Sequence, residues 1–268
     1  MPELLVTSAT NPRLKAVAAL RRRRVRDQEG LTVVDGYDEL ALAVDAGVVP
    51  RTLLYCPELM LDPDAQSALV ERVRGLGATT VRCGRTAFEK VAYREGPDGF
   101  LAVVPGAGRR LEDLVLGPDP LVVVVEGLEK PGNLGSVLRS ADAAGVAAVV
   151  AADPATDWGN PNVVRASKGT VFTVPVASAP LAGVLGWLAG HGIRLVATTP
   201  DTATLHTEVD WTGAVAVAVG TEKTGLTPAA LAAADERVRI PMAGRVNSLN
   251  AGVSAAVVLY EAVRQRGM

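Results

Sequence analysis

The sequence predicts two α/β domains in a chain of 268 residues. Short apolar runs alternate with segments of helical periodicity, the pattern of sheets whose strands are joined by helices. Hydrophobic residues make up 49% of the chain, which is enough for a sizeable core and excludes a disordered protein. A polar stretch rich in Gly and Pro separates two apolar blocks. We therefore predict domains at 1–105 and 118–268, joined by a linker at 106–117.

The first domain is predicted to be a small α/β sandwich. Ser8, Asn11 and Pro12 are typical of a helix start, and helical character continues over 13–26. Strands are then expected at 31–34, 52–55, 80–82 and 100–104. Helices are expected between them, at 37–46, 63–76 and 86–91.

The second domain alternates more clearly and is predicted to contain a parallel sheet. Residues 121–125 are one continuous apolar run, which is typical of a strand buried on both faces. Further strands are expected at 147–152, 172–174, 194–198, 214–219 and 237–240. Helices are expected at 133–144, 161–168, 181–190, 228–234 and 248–265.

The composition excludes several kinds of protein. The two histidines and two cysteines (His191, His206, Cys56 and Cys83) have no ligand spacing, which argues against a metal site. The Gly-x-Ser-x-Gly signature of a hydrolase is missing, and aromatic residues are too few for a base-stacking sheet. Because no apolar run could span a bilayer and Met1-Pro2-Glu3 does not resemble a signal peptide, we expect a cytoplasmic protein with reduced thiols and no membrane partner.

The charge is balanced overall but clustered locally. Lys and Arg number 27 against 29 Asp and Glu, which taken alone argues against a nucleic-acid partner. Residues 11–26, however, contain no acidic residue and a run of cations: Arg13, Lys15, Arg21, Arg22, Arg23, Arg24 and Arg26. Phosphate binding depends on local clustering, so this helix is a candidate RNA-binding surface. The alternative is an ordinary solvated helix face.

Three polar, glycine-containing segments follow predicted strands of the second domain, at 126–139, 219–225 and 240–250. Taken singly, each is explained by a turn or a helix cap. The segments match neither the dinucleotide fingerprint nor the phosphate-binding P-loop. Because open α/β sheets bind ligands at the carboxyl ends of their strands, the three together predict a small-molecule pocket made mostly of backbone groups.

These segments resemble a known set of motifs. Asn133, Gly135 and Arg139 form N-x-G-x-x-x-R, Gly220, Glu222 and Gly225 form G-x-E-x-x-G, and I-P-M…S-L-N runs from Ile240 to Asn250. In order and spacing they are similar to the three motifs of the SpoU, or TrmH-like, RNA 2′-O-ribose methyltransferases of the SPOUT superfamily. Upstream, Asn11-Pro12, the basic helix, the Gly36 region and strand 100–104 resemble an L30e-like RNA substrate-binding domain.

The resemblance implies a fold, a cofactor and an assembly. It implies a SPOUT domain whose C-terminal segment forms a trefoil knot, S-adenosyl-L-methionine held in that knot without a metal, and a homodimer through the knotted domain. Carried over by motif, the cofactor contacts are Thr198, Thr199, Gly220, Glu222, Ile240, Met242, Ser248, Leu249 and Asn250.

The resemblance also implies the catalytic and RNA-binding residues. Catalysis is assigned to Arg139, Asn133, Glu222 and Asn250. A neutral ribose hydroxyl is a poor nucleophile, so Arg139 either accepts its proton or clamps the neighbouring phosphate and polarises the hydroxyl. Since a guanidinium is protonated at physiological pH, we favour the clamp. Beyond the basic helix, the expected RNA contacts are Lys130, Arg139, Arg165, Lys168 and Arg245. Lys130 departs from the family, because many members have an acidic residue directly before the proline.

The expected activity is 2′-O-ribose methylation of one nucleotide in structured RNA. A separate binding domain favours 23S ribosomal RNA over tRNA, and in some relatives such methylation confers resistance to a ribosome-targeting antibiotic. Two alternatives stay open: a non-catalytic RNA-binding or assembly protein, and another nucleotide-dependent α/β enzyme. The four intact motif residues disfavour the first, and the missing nucleotide fingerprints disfavour the second. The particular RNA and nucleotide are left open.

Overall fold

The computed structural model describes residues 4–267. They fold as two compact units, which we call the first unit (4–107 and 157–173) and the second unit (108–156 and 174–267). Met1, Pro2 and Glu3, from which we expect no signal peptide, lie outside the described residues. Within 4–267, no helix combines the length and apolar character needed to cross a membrane.

Strands and helices alternate along most of the described chain, which confirms the predicted α/β class. The strands are β1 (Leu4–Val6), β2 (Leu31–Asp35), β3 (Thr52–Tyr55), β4 (Thr79–Cys83), β5 (Phe100–Pro105), β6 (Leu121–Glu126), β7 (Ala148–Ala152), β8 (Val176–Ala179), β9 (Arg194–Thr198), β10 (Val215–Val219) and β11 (Glu236–Val238). The helices are α1 (Pro12–Ala19), α2 (Arg23–Glu29), α3 (Tyr37–Asp45), α4 (Pro63–Gly75), α5 (Arg85–Val91), α6 (Pro131–Ala143), α7 (Pro161–Ala166), α8 (Leu181–Gly190), α9 (Pro228–Ala233) and α10 (Ala251–Arg266).

The first unit contains a five-stranded mixed sheet in the order β1-β4-β3-β5-β2. β5 runs antiparallel to β2 and β3, whereas β4 is parallel to β1 and β3. Leu54, Val81 and Leu101 of the sheet share one core with Leu14 of α1 and Phe88 of α5. The helices of this unit thus pack on a sheet, as predicted.

The second unit contains a six-stranded, wholly parallel sheet in the order β11-β9-β10-β6-β7-β8. Every residue of the central strands β6 and β10 is buried, as expected for strands covered on both faces. α10 approaches α6 closely, because a Cβ added at Gly252 would lie 2.7 Å from Cβ of Ser136. Since all strands are parallel, their carboxyl ends lie along one edge of the sheet.

The basic segment predicted as one helix over 13–26 is two helices. α1 ends at Ala19, Leu20 caps it, and α2 begins at Arg23. The cause is Arg26, whose Nη1 donates to the carbonyls of Leu20 at 3.0 Å and Arg21 at 2.9 Å. In a continuous helix those carbonyls would accept from the backbone four residues on, so the arginine replaces helical hydrogen bonds with its own.

The prediction of a strand at 172–174 is wrong. Residues Thr170–Phe172 form a 3-10 turn, and the strand β8 follows at Val176–Ala179. Gly169 has a φ of +84°, and Oγ1 of Thr170 donates to the Ser167 carbonyl at 2.8 Å. A left-handed glycine followed by such a side chain-to-backbone bond turns the chain where an extended strand was expected.

Residues 157–173 belong to the first unit, although the predicted domain division places them in the second domain. Arg26 is only 5% exposed and forms an ion pair with Asp157, with Nη2 2.6 Å from Oδ2. The Thr32 hydroxyl of β2 donates to the Gly159 carbonyl, and Nδ2 of Asn162 lies 3.3 Å from the Tyr93 hydroxyl. The segment is therefore held by polar groups that sequence periodicity does not reveal.

Candidate active site

The carboxyl ends of β9, β10 and β11 surround a cavity of about 440 Å³ in the second unit. Thr198, Val219 and Val238, the last residues of these strands, all line it. Small-molecule sites occupy about 300–1,000 Å³ and favour this edge of a parallel sheet. The cavity therefore has the size and place of a ligand site.

The predicted cofactor contacts converge on this cavity. Those that line it are Thr198, Thr199, Gly220, Glu222, Ile240, Met242, Ser248 and Leu249. Asn250 does not line the cavity; it caps α10 directly behind the lining. Sequence reasoning missed other lining residues, among them Asp201, Leu226, Arg239 and Asn247, which carry no motif signal.

The lining offers unused backbone donors beside apolar side chains. Among residues 4–267, the amide groups of Gly220, Ile240 and Leu249 donate no hydrogen bond to the protein. Val219, Leu226 and Val238 supply buried apolar surface to the same cavity. A planar aromatic ligand with polar edges suits such a lining, since the walls are apolar and the donors are fixed to the backbone.

The loop after β10 is a tight turn that tolerates no side chain at its first position. The amide of Thr221 donates to the Gly225 carbonyl at 3.1 Å, and the amide of Gly225 donates back at 3.0 Å. Gly225 has a φ of +67°, which favours glycine. A Cβ added at Gly220 would lie 2.1 Å from the Gly225 carbonyl carbon, so the turn is folded against the residue that precedes it.

Glu126, the last residue of β6, fixes the far end of the same loop. Its Oε2 accepts from the amide of Thr227 at 2.8 Å, and its Oε1 accepts from the Thr227 hydroxyl at 2.7 Å. The Thr227 hydroxyl also caps α9 by accepting from the amide of Ala230. Since Glu126 is buried, these hydrogen bonds compensate its desolvation and hold the wall of the cavity in place.

A polar cluster joins the three motifs at the edge of the cavity, and Glu222 is the member that also lines it. Nδ2 of Asn250 donates to Oδ1 of Asn133 at 2.9 Å and to Oε1 of Glu222 at 2.6 Å, while its Oδ1 accepts from the amide of Gly252. Nζ of Lys130 pairs with Oε2 of Glu222. The hydrogen bond from Lys130, then that from Asn133, and the charge of Lys130 hold the pKa of Glu222 below its ordinary value.

Arg139 lies apart from this cluster. It is exposed and, within the described chain, its guanidinium makes no hydrogen bond or ion pair. It does not line the cavity. It follows Ser136 by three residues on α6 and therefore lies on the side of the helix that Ser136 presents to α10. Asn133, on the same helix, is buried and contacts Asn250 rather than Arg139.

The predicted RNA contacts divide into free and engaged cations. Exposed side chains without a polar partner in residues 4–267 are those of Arg13, Lys15, Arg22, Arg24, Arg139, Arg165 and Arg245. Arg21 donates to the Val91 and Ala92 carbonyls, Arg23 lies 3.6 Å from Asp27, Lys168 lies 3.5 Å from Glu39, and Lys130 pairs with Glu222. The expectation that Arg26 contacts RNA is corrected by the structure, because this side chain is buried against Asp157.

The histidines and cysteines lie outside the cavity. Nδ1 of His191 lies 2.8 Å from the Trp187 carbonyl at the end of α8. Both cysteines are buried and free, and burial raises the pKa of the Cys83 thiol to about 12. In residues 4–267, no group of three or more His, Cys, Asp or Glu side chains is arranged to hold a metal ion.

The geometry defines a class of protein: an α/β fold with a small-molecule site at the carboxyl edge of a parallel sheet, lined by loops and their backbone groups. Comparison with known proteins identifies the family. The SpoU rRNA Methylase family matches residues 120–260, and the MRM3-like substrate binding domain matches residues 11–102. The chain belongs to the SpoU rRNA methylase family. The predicted family and the enzyme class, RNA methyltransferase, are thereby confirmed.

Individual relatives match nearly the whole chain. A 23S rRNA (uridine(2479)-2′-O)-methyltransferase from Streptomyces viridochromogenes is 36% identical over 261 residues, covering 93% of this chain and 88% of that protein. A crystal structure of an RNA 2′-O ribose methyltransferase is 39% identical with a TM-score of 0.85, and covers 99% of this chain and 100% of the other. The SpoU methyltransferase AviRb from S. viridochromogenes, in complex with the cofactor AdoMet, is 32% identical with a TM-score of 0.85 and covers 96% and 99% of the two chains.

Proposed function

We propose that this enzyme transfers a methyl group from S-adenosyl-L-methionine to the 2′-hydroxyl of one ribose in ribosomal RNA, with 23S rRNA favoured over tRNA. The observation that carries the proposal is the cavity, since loops from separate parts of the chain that contain the second and third motifs line it together. The relatives named for 23S rRNA and for AdoMet support the substrate and the cofactor.

The residues present fit this cofactor. Gly220, Ile240 and Leu249 offer free backbone amides, and the apolar side chains between them suit an adenine ring. Thr198, Thr199, Met242 and Ser248 complete the proposed contacts, and Asn250 holds the loop from behind. When bound, the sulfonium supplies an activated methyl group, and we expect no metal to take part.

The chain's own residues then have to bind and orient the RNA. Arg139 is a free, exposed cation that can clamp a phosphate and polarise the neighbouring ribose hydroxyl. Asn133, Glu222 and Asn250 form the hydrogen-bonded support at the edge of the cavity rather than a proton relay to Arg139. Because Arg139 does not line the cavity of its own chain, we include in the proposal a homodimer in which it serves the partner's cavity.

Exposed apolar side chains support a dimer through the knotted domain. Val253 and Tyr260 of α10 are 46% and 53% exposed, and because they are seven residues apart they lie on the same face of that helix. The trefoil knot stays a prediction of the resemblance. A link to antibiotic resistance also stays a prediction.

Two measurements test the proposal. Calorimetry should detect S-adenosylmethionine binding to the full chain, and radiolabel should pass from this donor to rRNA from cells that lack the gene. The Arg139→Lys variant should bind the donor normally but transfer label about 100-fold more slowly, because lysine cannot reproduce a planar, two-pronged contact. Absence of transfer to any RNA would exclude the enzymatic function, and a near-normal rate for Arg139→Lys would exclude the proposed clamp. Mapping of ribose methylation on rRNA would then identify the nucleotide.

A further inference from the structure

One contact of the polar cluster is not explained by the family motifs. Lys130 precedes α6 and pairs with Glu222, which lies 92 residues further along the chain, on the loop after β10. The pair therefore joins the start of the motif-one helix to the motif-two loop by one charged contact. The Lys130 side chain is 70% exposed, whereas that of Glu222 is 27% exposed.

We propose that Lys130 is a positioning residue for the cofactor cavity: it holds Glu222 against Asn250 and thereby fixes the loop 220–225 at the cavity rim. This inference rests on the proposed function, because the cavity is taken as the S-adenosylmethionine site. Lys130 does not line the cavity and acts only through Glu222, which does.

The two carboxylate oxygens of Glu222 show how the contact works. Oε1 accepts from Nδ2 of Asn250 at 2.6 Å, and Oε2 receives Lys130. Asn250 uses the same Nδ2 for Asn133 and its Oδ1 for the start of α10. Without Lys130, the carboxylate keeps only the amide donors of Asn250 and Asn133 and loses its cationic partner at Oε2, so it can rotate and loosen the loop.

Lys130 also supplies the charge that lowers the pKa of Glu222. Within the described residues it is the only ion-pair partner of Glu222. The other charged groups lining the cavity are Asp201, Lys223 and Arg239, and none of them is in ion-pair contact with Glu222. Because the pKa of Glu222 is lowered first of all by the hydrogen bond from Lys130, removing the cation should let that pKa rise toward its ordinary value.

The test is calorimetric titration of the full chain with S-adenosylmethionine between about pH 4.5 and 8. Lys130→Met keeps an unbranched side chain, one atom shorter, but removes the charge. Lys130→Arg keeps the charge, and Lys90→Met removes an exposed lysine of the first unit as a matched control. At pH 7, Lys130→Met should weaken binding by about two- to five-fold, the range of an exposed ion pair. Lys130→Arg and Lys90→Met should bind as the unchanged protein does.

The pH profile separates positioning from a general structural loss. Only the ionised carboxylate forms the ion pair with Lys130 while its other oxygen accepts from Asn250, and its lowered pKa preserves that state as the pH falls. In Lys130→Met, donor affinity should therefore begin to fall at a higher pH than in the unchanged protein. In a Glu222→Gln background, Lys130→Met should have no further effect, because the charge it pairs with is already gone.

Each outcome has a distinct meaning. If the unchanged protein binds no S-adenosylmethionine, the proposed function fails. If it binds and Lys130→Met matches it in affinity and pH profile, the positioning role is overturned while the proposed function stands. If Lys130→Met binds the donor normally but loses affinity for rRNA, Lys130 is an RNA contact and the inference is equally overturned.

Discussion

Asn250 makes more specific contacts than its motif suggests. As a single residue before a helix it is an ordinary cap, and its Oδ1 does accept from the amide of Gly252 at 2.9 Å. Its Nδ2 reaches both Asn133 and Glu222, so one side chain connects all three motifs. Sequence reasoning identified these residues through the resemblance, but it could not show that they bind one another, because spacing along the chain contains no such information.

Replacing Asn250 by Ala should cost both stability and cofactor binding. The loss of the cap costs about 1 kcal/mol, and Oδ1 of the buried Asn133 is left without its donor at a cost of about 1–3 kcal/mol. Urea unfolding and donor calorimetry measure the two effects. Asn11→Ala is the matched control, because the side chain of Asn11 caps α1 by accepting from the amide of Arg13 and lies in the first unit, away from the cavity. Equal donor affinities for the two variants would contradict the connecting role of Asn250.

At the scale of elements, strands and helices could be predicted wherever the pattern of apolar residues determines their position. β6 and β10 are buried along their full length; both were predicted, and β6 from a continuous apolar run. β1 was not predicted, because an edge strand of three residues with one buried side chain is too short to show a period. The break between α1 and α2 was missed for another reason: it depends on a guanidinium that binds carbonyls five and six residues earlier.

Arg26 should therefore behave as a structural residue and not as an RNA contact. Arg26→Ala leaves the partly buried Asp157 with only the longer, 3.9 Å contact to the exposed Arg23, and should destabilise the fold by about 3 kcal/mol. Arg22→Ala, which removes an exposed arginine just before the same helix, should change stability by no more than about 0.5 kcal/mol. Urea unfolding monitored by circular dichroism compares them. A stability loss below about 1 kcal/mol for Arg26→Ala would show that the pair does not hold the segment 157–173.

Across the whole molecule, it was predictable that the three motifs meet at one edge of the sheet, but not which of their side chains line the cavity. The parallel sheet brings the ends of β9, β10 and β11 to one edge, so segments far apart in sequence had to meet there. That Arg139 lies outside its own cavity, and that Lys130 pairs with Glu222, depend on side-chain directions. The net charge of −2 was equally uninformative, because it averages over a local cluster.

In the basic segment 11–26, four exposed cations have no polar partner among the described residues: Arg13, Lys15, Arg22 and Arg24. Arg22 and Arg24 are two positions apart in the sequence. The double variant Arg22→Ala/Arg24→Ala should weaken rRNA binding and lower the slope of log affinity against log salt by about 1–2, while leaving donor binding unchanged. Filter binding at several salt concentrations measures this slope. Arg51→Ala/Lys90→Ala, which removes two exposed cations elsewhere in the first unit, is the control. A parallel loss of donor affinity in the Arg22/Arg24 variant would refute the separation of the two binding functions.

The bond between Glu126 and Thr227 also has a consequence for how the chain acquires its structure. The two residues are 101 positions apart, and the hydroxyl that caps α9 is the same one that donates to Glu126. A helix as short as α9 is not stable in isolation, so its N-terminal cap depends on the contact with Glu126 of β6, which lies far earlier in the sequence. Pulsed hydrogen exchange should accordingly show the amide of Ala230 becoming protected together with β6, and not before it.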